Sequence, residues 1–168
     1  KSVRGDTSGI YMLDSNFNIL RNLGPGVLAK RKFGGIVLGY IKDSTAIILD
    51  LGNHVYEYSL IDSSLESIAE GKIRAISHNR DIVIISEGDP DDELNYLLFL
   101  NDKLKRKMPP IEGAYFCFSP TDDYVACLHK TDNIRNTIQL YIYDIKNDQM
   151  YLTRFEGHGT MVWINDRP

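Results

Sequence analysis

The sequence predicts an all-β fold made of a repeated four-stranded unit, and three observations lead there. Short apolar runs rich in Tyr, Ile and Val are separated by turn residues along most of the chain, the pattern of strands rather than helices. Corresponding runs then recur at a steady spacing: Tyr11-Met12-Leu13-Asp14, Tyr56-Glu57-Tyr58-Ser59, Leu98-Phe99-Leu100-Asn101 and Tyr141-Ile142-Tyr143-Asp144 follow one another at 45, 42 and 43 residues. Finally, Glu70-Gly71, Glu112-Gly113 and Glu156-Gly157 close successive units at spacings of 42 and 44, and each is followed by a new apolar run, at 73–77, 115–119 and 161–164. A period of 42 to 45 residues is that of one four-stranded blade. The expected architecture is a β-propeller, or a fragment of one, of about four blades.

The blades can be drafted in order. A partial first blade, within 9–24, supplies two strands near 9–14 and 18–23. The second spans 27–71, with strands at 36–41, 46–51, 54–60 and 65–69. The third spans 72–113, with strands at 73–77, 81–86, 95–100 and 104–109. The fourth spans 114–157, with strands at 116–118, 124–128, 139–144 and 149–154, and a fifth begins at 161–168. The run Ile82-Val83-Ile84-Ile85 is apolar on both faces, as expected of a strand between neighbouring sheets; a sheet with one wet face would alternate. Ser63 and Glu66 stand at capping-box spacing, but the repeat predicts a strand over 65–69 and the strand reading is preferred. Residues 24–35, rich in Gly and basic side chains, are expected to connect two blades.

The hairpin Phe118-Ser119-Pro120-Thr121-Asp122-Asp123-Tyr124-Val125-Ala126 resembles the Phe-Ser-Pro-Asp-Gly-x-x-Ile-Ala motif of TolB-type and related WD-like propeller repeats. Pro presets the first torsion of such a turn, and Gly or Asp accommodates its later positions. Asp122 stands where the motif has Gly. Val162-Trp163-Ile164-Asn165-Asp166 resembles the start of the next such motif, while the second and third blades carry no good copy of it. Members of this family serve as binding scaffolds or as the non-catalytic propeller of serine peptidases. The resemblance therefore implies a binding platform and transfers no functional residue, because the shared motif is one of turn and core.

Composition narrows the function. A net charge of -4 argues against a general nucleic-acid binder. No apolar run is long enough to span a bilayer as a helix, and no signal peptide is visible. The chain begins at Lys1 rather than Met, so no compartment is assigned. The two cysteines, Cys117 and Cys127, lie on the two strands of one hairpin. They read as small buried hydrophobes, and a one-residue change of register would place them on opposite faces.

The sequence carries little recognisable catalytic chemistry. There is no Gly-x-Ser-x-Gly elbow, no Walker loop and no Gly-x-Gly-x-x-Gly. His54, His78, His129 and His158 lack metal-ligand spacing, and Arg4-Gly5-Asp6 is a tripeptide that arises often by chance. No cofactor and no metal are expected.

The sharpest charge feature is the acidic run from Glu87 to Glu93. It holds Asp89, Asp91, Asp92 and Glu93 and reads as a solvated loop without the positions of a calcium loop. In a propeller the connections between second and third strands share one end, so this loop (87–95) and the loop 129–136, with His129, Lys130 and Arg135, are expected side by side on adjacent blades. Long loops on a rigid scaffold are where binding concentrates. The expected function is thus a non-catalytic scaffold for a protein or peptide partner, with those seven residues as candidate contacts. One alternative is the accessory propeller of a serine peptidase or other hydrolase. Another is a small propeller enzyme with paired carboxylates in a central channel, of which the sequence shows none. Self-association is one way in which such a set of blades would complete a ring.

Overall fold

The computed structural model of the chain describes residues 11–13, 19–22, 38–43, 45–51, 53–62, 64–88, 93–111, 115–132 and 137–157. All regular secondary structure among them is strand, in fourteen segments. The chain divides into two compact units, Lys1–Ile68 and Ala69–Pro168.

The first unit contains a two-stranded hairpin, β1 (Tyr11–Leu13) and β2 (Ile19–Asn22), and, but for the last two residues of β6, a sheet of β3 (Leu38–Ile41), β4 (Ala46–Asp50), β5 (His54–Ser59) and β6 (Leu65–Glu70) in the order β3-β4-β5-β6. Register pairs Ile47 with Tyr58 and Leu49 with Tyr56. With Leu51 these side chains form the core of one face, against which Leu60 and Leu65 pack. Ile48 and Val55 point the other way and are also fully buried. The strand expected over 65–69 is therefore real, and the capping-box spacing of Ser63 and Glu66 marks no helix start.

The second unit holds two further sheets. β7 (Lys72–Ile76), β8 (Ile82–Glu87), β9 (Leu94–Phe99) and β10 (Leu104–Lys107) form the third blade; β11 (Tyr115–Phe118), β12 (Tyr124–Asp132), β13 (Thr137–Asp144) and β14 (Gln149–Gly157) form the fourth. Each is an antiparallel meander of sequence neighbours. Their facing sides share one core: Ile82, Ile84, Leu97 and Met108 from the third blade meet Phe118, Val125, Cys127 and Tyr143 from the fourth. At the margin of this core the Arg106 guanidinium donates to the carbonyl of Ile145 at 2.6 Å and lies over the rings of Phe99 and Tyr143. Tyr143 in turn donates its hydroxyl to Asp148.

The repeat extends to individual hydrogen bonds. In the fourth blade Ser119 N donates to Tyr124 O, Asp122 N to Ser119 O, and Tyr124 N to the Ser119 hydroxyl. In the third blade Ser77 N donates to Ile82 O, Arg80 N to Ser77 O, and Ile82 N to the Ser77 hydroxyl. The 77–81 turn is thus a full structural copy of the 119–123 turn. The turn carries no visible copy of the motif because only its first and last residues are shared, Ser77 with Ser119 and Asp81 with Asp123, and backbone groups carry most of the bonds. The next strand is anchored alike in all three sheets, by Leu60 N to Thr45 O, Leu100 N to Asp81 O and Ile145 N to Asp123 O.

Asp122 has φ of 62°, the left-handed conformation for which the motif uses Gly, and Arg80 takes it in the third blade with φ of 66°. The Asp122 carboxylate also bridges the two turns. One oxygen accepts from His78 N at 2.8 Å and lies 3.1 Å from the His78 ring Nδ1; the other accepts from Asn79 N at 2.8 Å.

Several strand ends differ from the sequence reading. β12 runs on to Asp132 through a bulge between Lys130 and Asp132, and β13 begins at Thr137, so His129 and Lys130 are ladder residues opposite Gln139 and Ile138 rather than loop residues. Pairing rests on backbone bonds, and polar side chains do not stop it. Likewise Glu87 belongs to β8, and Leu94 and Asn95 to β9, which shortens the acidic loop. β14 continues through Glu156 and Gly157. The cysteines take the offset register: Cys127 pairs with Phe116 and Cys117 with Ala126, which puts the thiols on opposite faces. Residues 1–10, with Arg4-Gly5-Asp6, and the expected connection at 24–35 lie outside the described residues, as does the expected strand at 161–164.

Two substitutions test this wiring. Gly71 has φ of 113°, and a Cβ there would sit 2.6 Å from the carbonyl oxygen of Ser86. Gly71→Ala is expected to lower unfolding stability by about 1–3 kcal/mol, read as a reduced urea midpoint at unchanged slope. Asp122→Gly relieves the left-handed backbone, which alone would stabilise slightly, but strips the His78 and Asn79 N–H groups of their acceptor. A net loss of about 1–2 kcal/mol is expected; a gain in the same measurement would show that the turn matters only through its backbone.

Candidate functional site

The Asp122 bridge sets which ends of the third and fourth blades lie together. It joins the β7–β8 turn to the β11–β12 turn, so the two sheets stand in the same sense. β8 and β12 both run away from the bridge, so Glu87 and Asp132 close their strands at the opposite end. β10 finishes at that end too, and the link from β10 to β11 is tied there: Met108 N donates to Asn95 O at 2.8 Å and Asn95 Nδ2 to Ile111 O at 3.0 Å. Asn95 is buried, and its Oδ1 accepts no hydrogen bond.

The side chains at this end are charged and mutually paired. Arg74 sits at a bulge in β7, where Ile73 faces Ile85 and Ala75 faces Ile84. Bulges redirect a side chain, and Arg74 reaches Glu93, donating through Nη2 to both carboxylate oxygens at 2.5 and 2.6 Å. Burial pushes the Glu93 carboxyl up, but hydrogen bonds from Arg74 and Ser86 and the charges of Arg74 and Lys72 outweigh it and hold the group below its ordinary value of 4.5. Nearby, Lys105 pairs with Glu87 and lies 3.9 Å from the centroid of the Tyr96 ring.

The seven candidate residues thus fare differently. Glu93 is built into the end of the blade through Arg74. His129 is half-buried and paired by its backbone to Gln139, whose side chain accepts from the Tyr141 hydroxyl at 2.9 Å. Lys130 pairs with Ile138 through its backbone. Asp89, Asp91, Asp92 and Arg135 lie outside the described residues. Arg74, Lys105 and Tyr96 were not among the candidates. The alternation of Lys72 and Arg74 along one strand was the available signal, but the bulge that aims Arg74 leaves no mark in the sequence.

No family model matches the chain, and no curated protein matches it. Solved structures do. The fold is that of a TolB-like β-propeller. TolB from Acinetobacter baumannii superposes on 71% of the chain with a TM-score of 0.52 at 15% identity. The acylaminoacyl peptidase of Pyrococcus horikoshii does so over 78% with a TM-score of 0.58 at 10% identity. The β-propeller domain of the Trilobed protease from Pyrococcus furiosus, which has an open velcro topology, covers 79% with a TM-score of 0.58 at 11% identity. The chain spans 32%, 27% and 47% of those three chains, respectively. At these identities the likeness is one of fold alone.

The Arg74 clamp has a pH signature. Because the folded-state value of Glu93 is depressed, the clamp's contribution is fully present above the unfolded value near 4.5 and is lost as pH falls through the folded value. Glu93→Gln should therefore cost about 1 kcal/mol or less at neutral pH, and the difference from the unaltered chain should vanish in acid. Chemical unfolding at a series of pH values from 7 downward checks this.

Proposed function

We propose that this chain is a non-catalytic binding scaffold that receives a protein or peptide partner at the loop end of the third and fourth blades. The observation that supports this reading is the Asp122 bridge, which locks two sheets in the same sense so that β8 and β12 both end away from it. A rigid frame that presents the connections following its strands is suited to recognition. Glu87 and Glu93, paired with Lys105 and Arg74, favour a partner with charges of both signs.

The solved neighbours favour a second reading, the propeller of a larger hydrolase, since two of them are named as proteases or peptidases. A hydrolase domain encoded in the same reading frame selects that alternative.

The scaffold reading is tested by panning a random peptide library against the chain and against a variant with Asp91, Asp92, Lys130 and Arg135 all replaced by Ala. Peptides enriched on the unaltered chain are expected to lose at least about tenfold in affinity for the variant, equivalent to 1.4 kcal/mol, while its unfolding transition stays in place. Equal binding to both would place recognition elsewhere.

A further inference from the structure

The last strand of each blade lies at an edge of its sheet, and the edge of the fourth blade is the least guarded. An edge strand offers unpaired backbone N–H and C=O groups, and charged side chains normally keep other strands from using them. β6 carries Glu66 and Glu70, and β10 carries Lys105, Arg106 and Lys107. In β14 the run Gln149-Met150-Tyr151-Leu152-Thr153 holds no charge and no proline. Among the described strands β14 pairs with β13 alone. That ladder is regular from Gln149 opposite Asp144 to Leu152 opposite Tyr141 and is irregular beyond, where the Thr153 hydroxyl donates to the Leu140 carbonyl at 2.9 Å.

The side chains of this run call for a cover at the edge rather than on a face. Tyr151 shares a row with Ile142 on one side of the sheet, and Leu152 shares a row with Tyr141 on the other. They are 49% and 57% exposed. A body docked on either face would shelter one of them and leave the other wet. A strand added along the edge shelters both, because its own side chains alternate between the same two faces. Tyr151 is already held in place for such a neighbour: its hydroxyl donates to Gln149 Oε1, two residues back on the same face, at 2.7 Å.

The residues of the edge identify the partner. Set against itself in the antiparallel sense about Tyr151, the segment 148–154 is self-complementary. Tyr151 meets Tyr151, Met150 meets Leu152, Gln149 meets Thr153, and Asp148 comes level with Arg154 at both ends. Ring against ring, apolar against apolar and opposite charges are favourable cross-strand pairs. Moving the alignment by one residue either way takes Arg154 from Asp148 to Gln149 or Asn147.

We propose that two copies of the chain pair through β14, antiparallel about a two-fold axis at Tyr151, so that their fourth blades form one continuous sheet. The contact is isologous, the same edge serving on both copies. It is separate from the loop end assigned to a protein or peptide partner and does not depend on that reading.

An edge this short makes a weak dimer, so sedimentation of the full chain is followed from about 1 μM to about 1 mM. The unaltered chain is expected to pass from monomer to dimer in that range, and hydrogen exchange of the amides of 149–152 should slow as concentration rises. Tyr151→Lys and Tyr151→Glu each set like charges across the axis. Each should weaken the dimer on the order of tenfold or more and keep its unfolding transition, since the ring lies at the surface. An equimolar mixture of the two variants should regain association, because the axis then carries opposite charges; that recovery requires residue 151 to meet itself. A chain that stays monomeric throughout overturns the proposal, as does a dimer whose 149–152 amides exchange at the monomer's rate. Both of these arms use the unaltered chain and hold even if a variant fails to fold. A dimer that both folded variants leave intact, or a mixture that stays monomeric, overturns it as well.

Discussion

The carboxylate of Asp122 is the group on which the second unit's geometry depends. Glycine would adopt the left-handed turn at lower cost, but glycine has no side chain to offer the neighbouring blade. Asp accepts the backbone cost and gives two carboxylate oxygens to the His78 and Asn79 N–H groups. A charged acceptor in a buried position makes stronger hydrogen bonds than a neutral one. One residue thereby closes its own turn and fixes where the adjacent blade's turn must stand. The sense of both sheets, the mating of their cores and the common direction of β8 and β12 follow from that placement.

Apolar contact and polar contact divide the work along the blade junction. Ile82, Ile84, Leu97, Val125 and Tyr143 supply attraction without direction, since the hydrophobic effect rewards any close burial of the same area. Asp122 and Arg106 supply the direction. The first joins turn to turn, and the second joins β10 to the turn that follows β13. A flat apolar seam would tolerate sliding by a residue; two charged groups with geometric demands at separate points do not.

Much of this was legible in the sequence, for physical reasons that differ by element. Strands buried on both faces, such as β8 with Ile82 to Ile85, announce themselves because every position needs an apolar side chain. The Glu70-Gly71 unit end was visible because close approach to Ser86 admits only glycine. Strand ends were less visible. β12 continues through His129 and Lys130 because its ladder needs only backbone groups there, and composition mistook polar side chains for a loop. The second copy of the turn at 77–81 was hidden by the same economy. At the candidate site the acidic run was plain to read, but the partner that holds Glu93 was not, since Arg74 owes its direction to a bulge rather than to its place in a pattern.

The meander order of the sheets has a kinetic consequence. In every four-stranded sheet each strand pairs with its neighbour in sequence, so zipping a blade together closes only short loops and the entropic barrier to each step is small. The bridge from Asp122 to Asn79 spans 43 residues and can form only after two such sheets exist. Blades are then expected to assemble individually as the polypeptide is synthesised, each using the finished face of its predecessor as a template, with the long-range bonds arriving last to lock a docking that burial has already brought about.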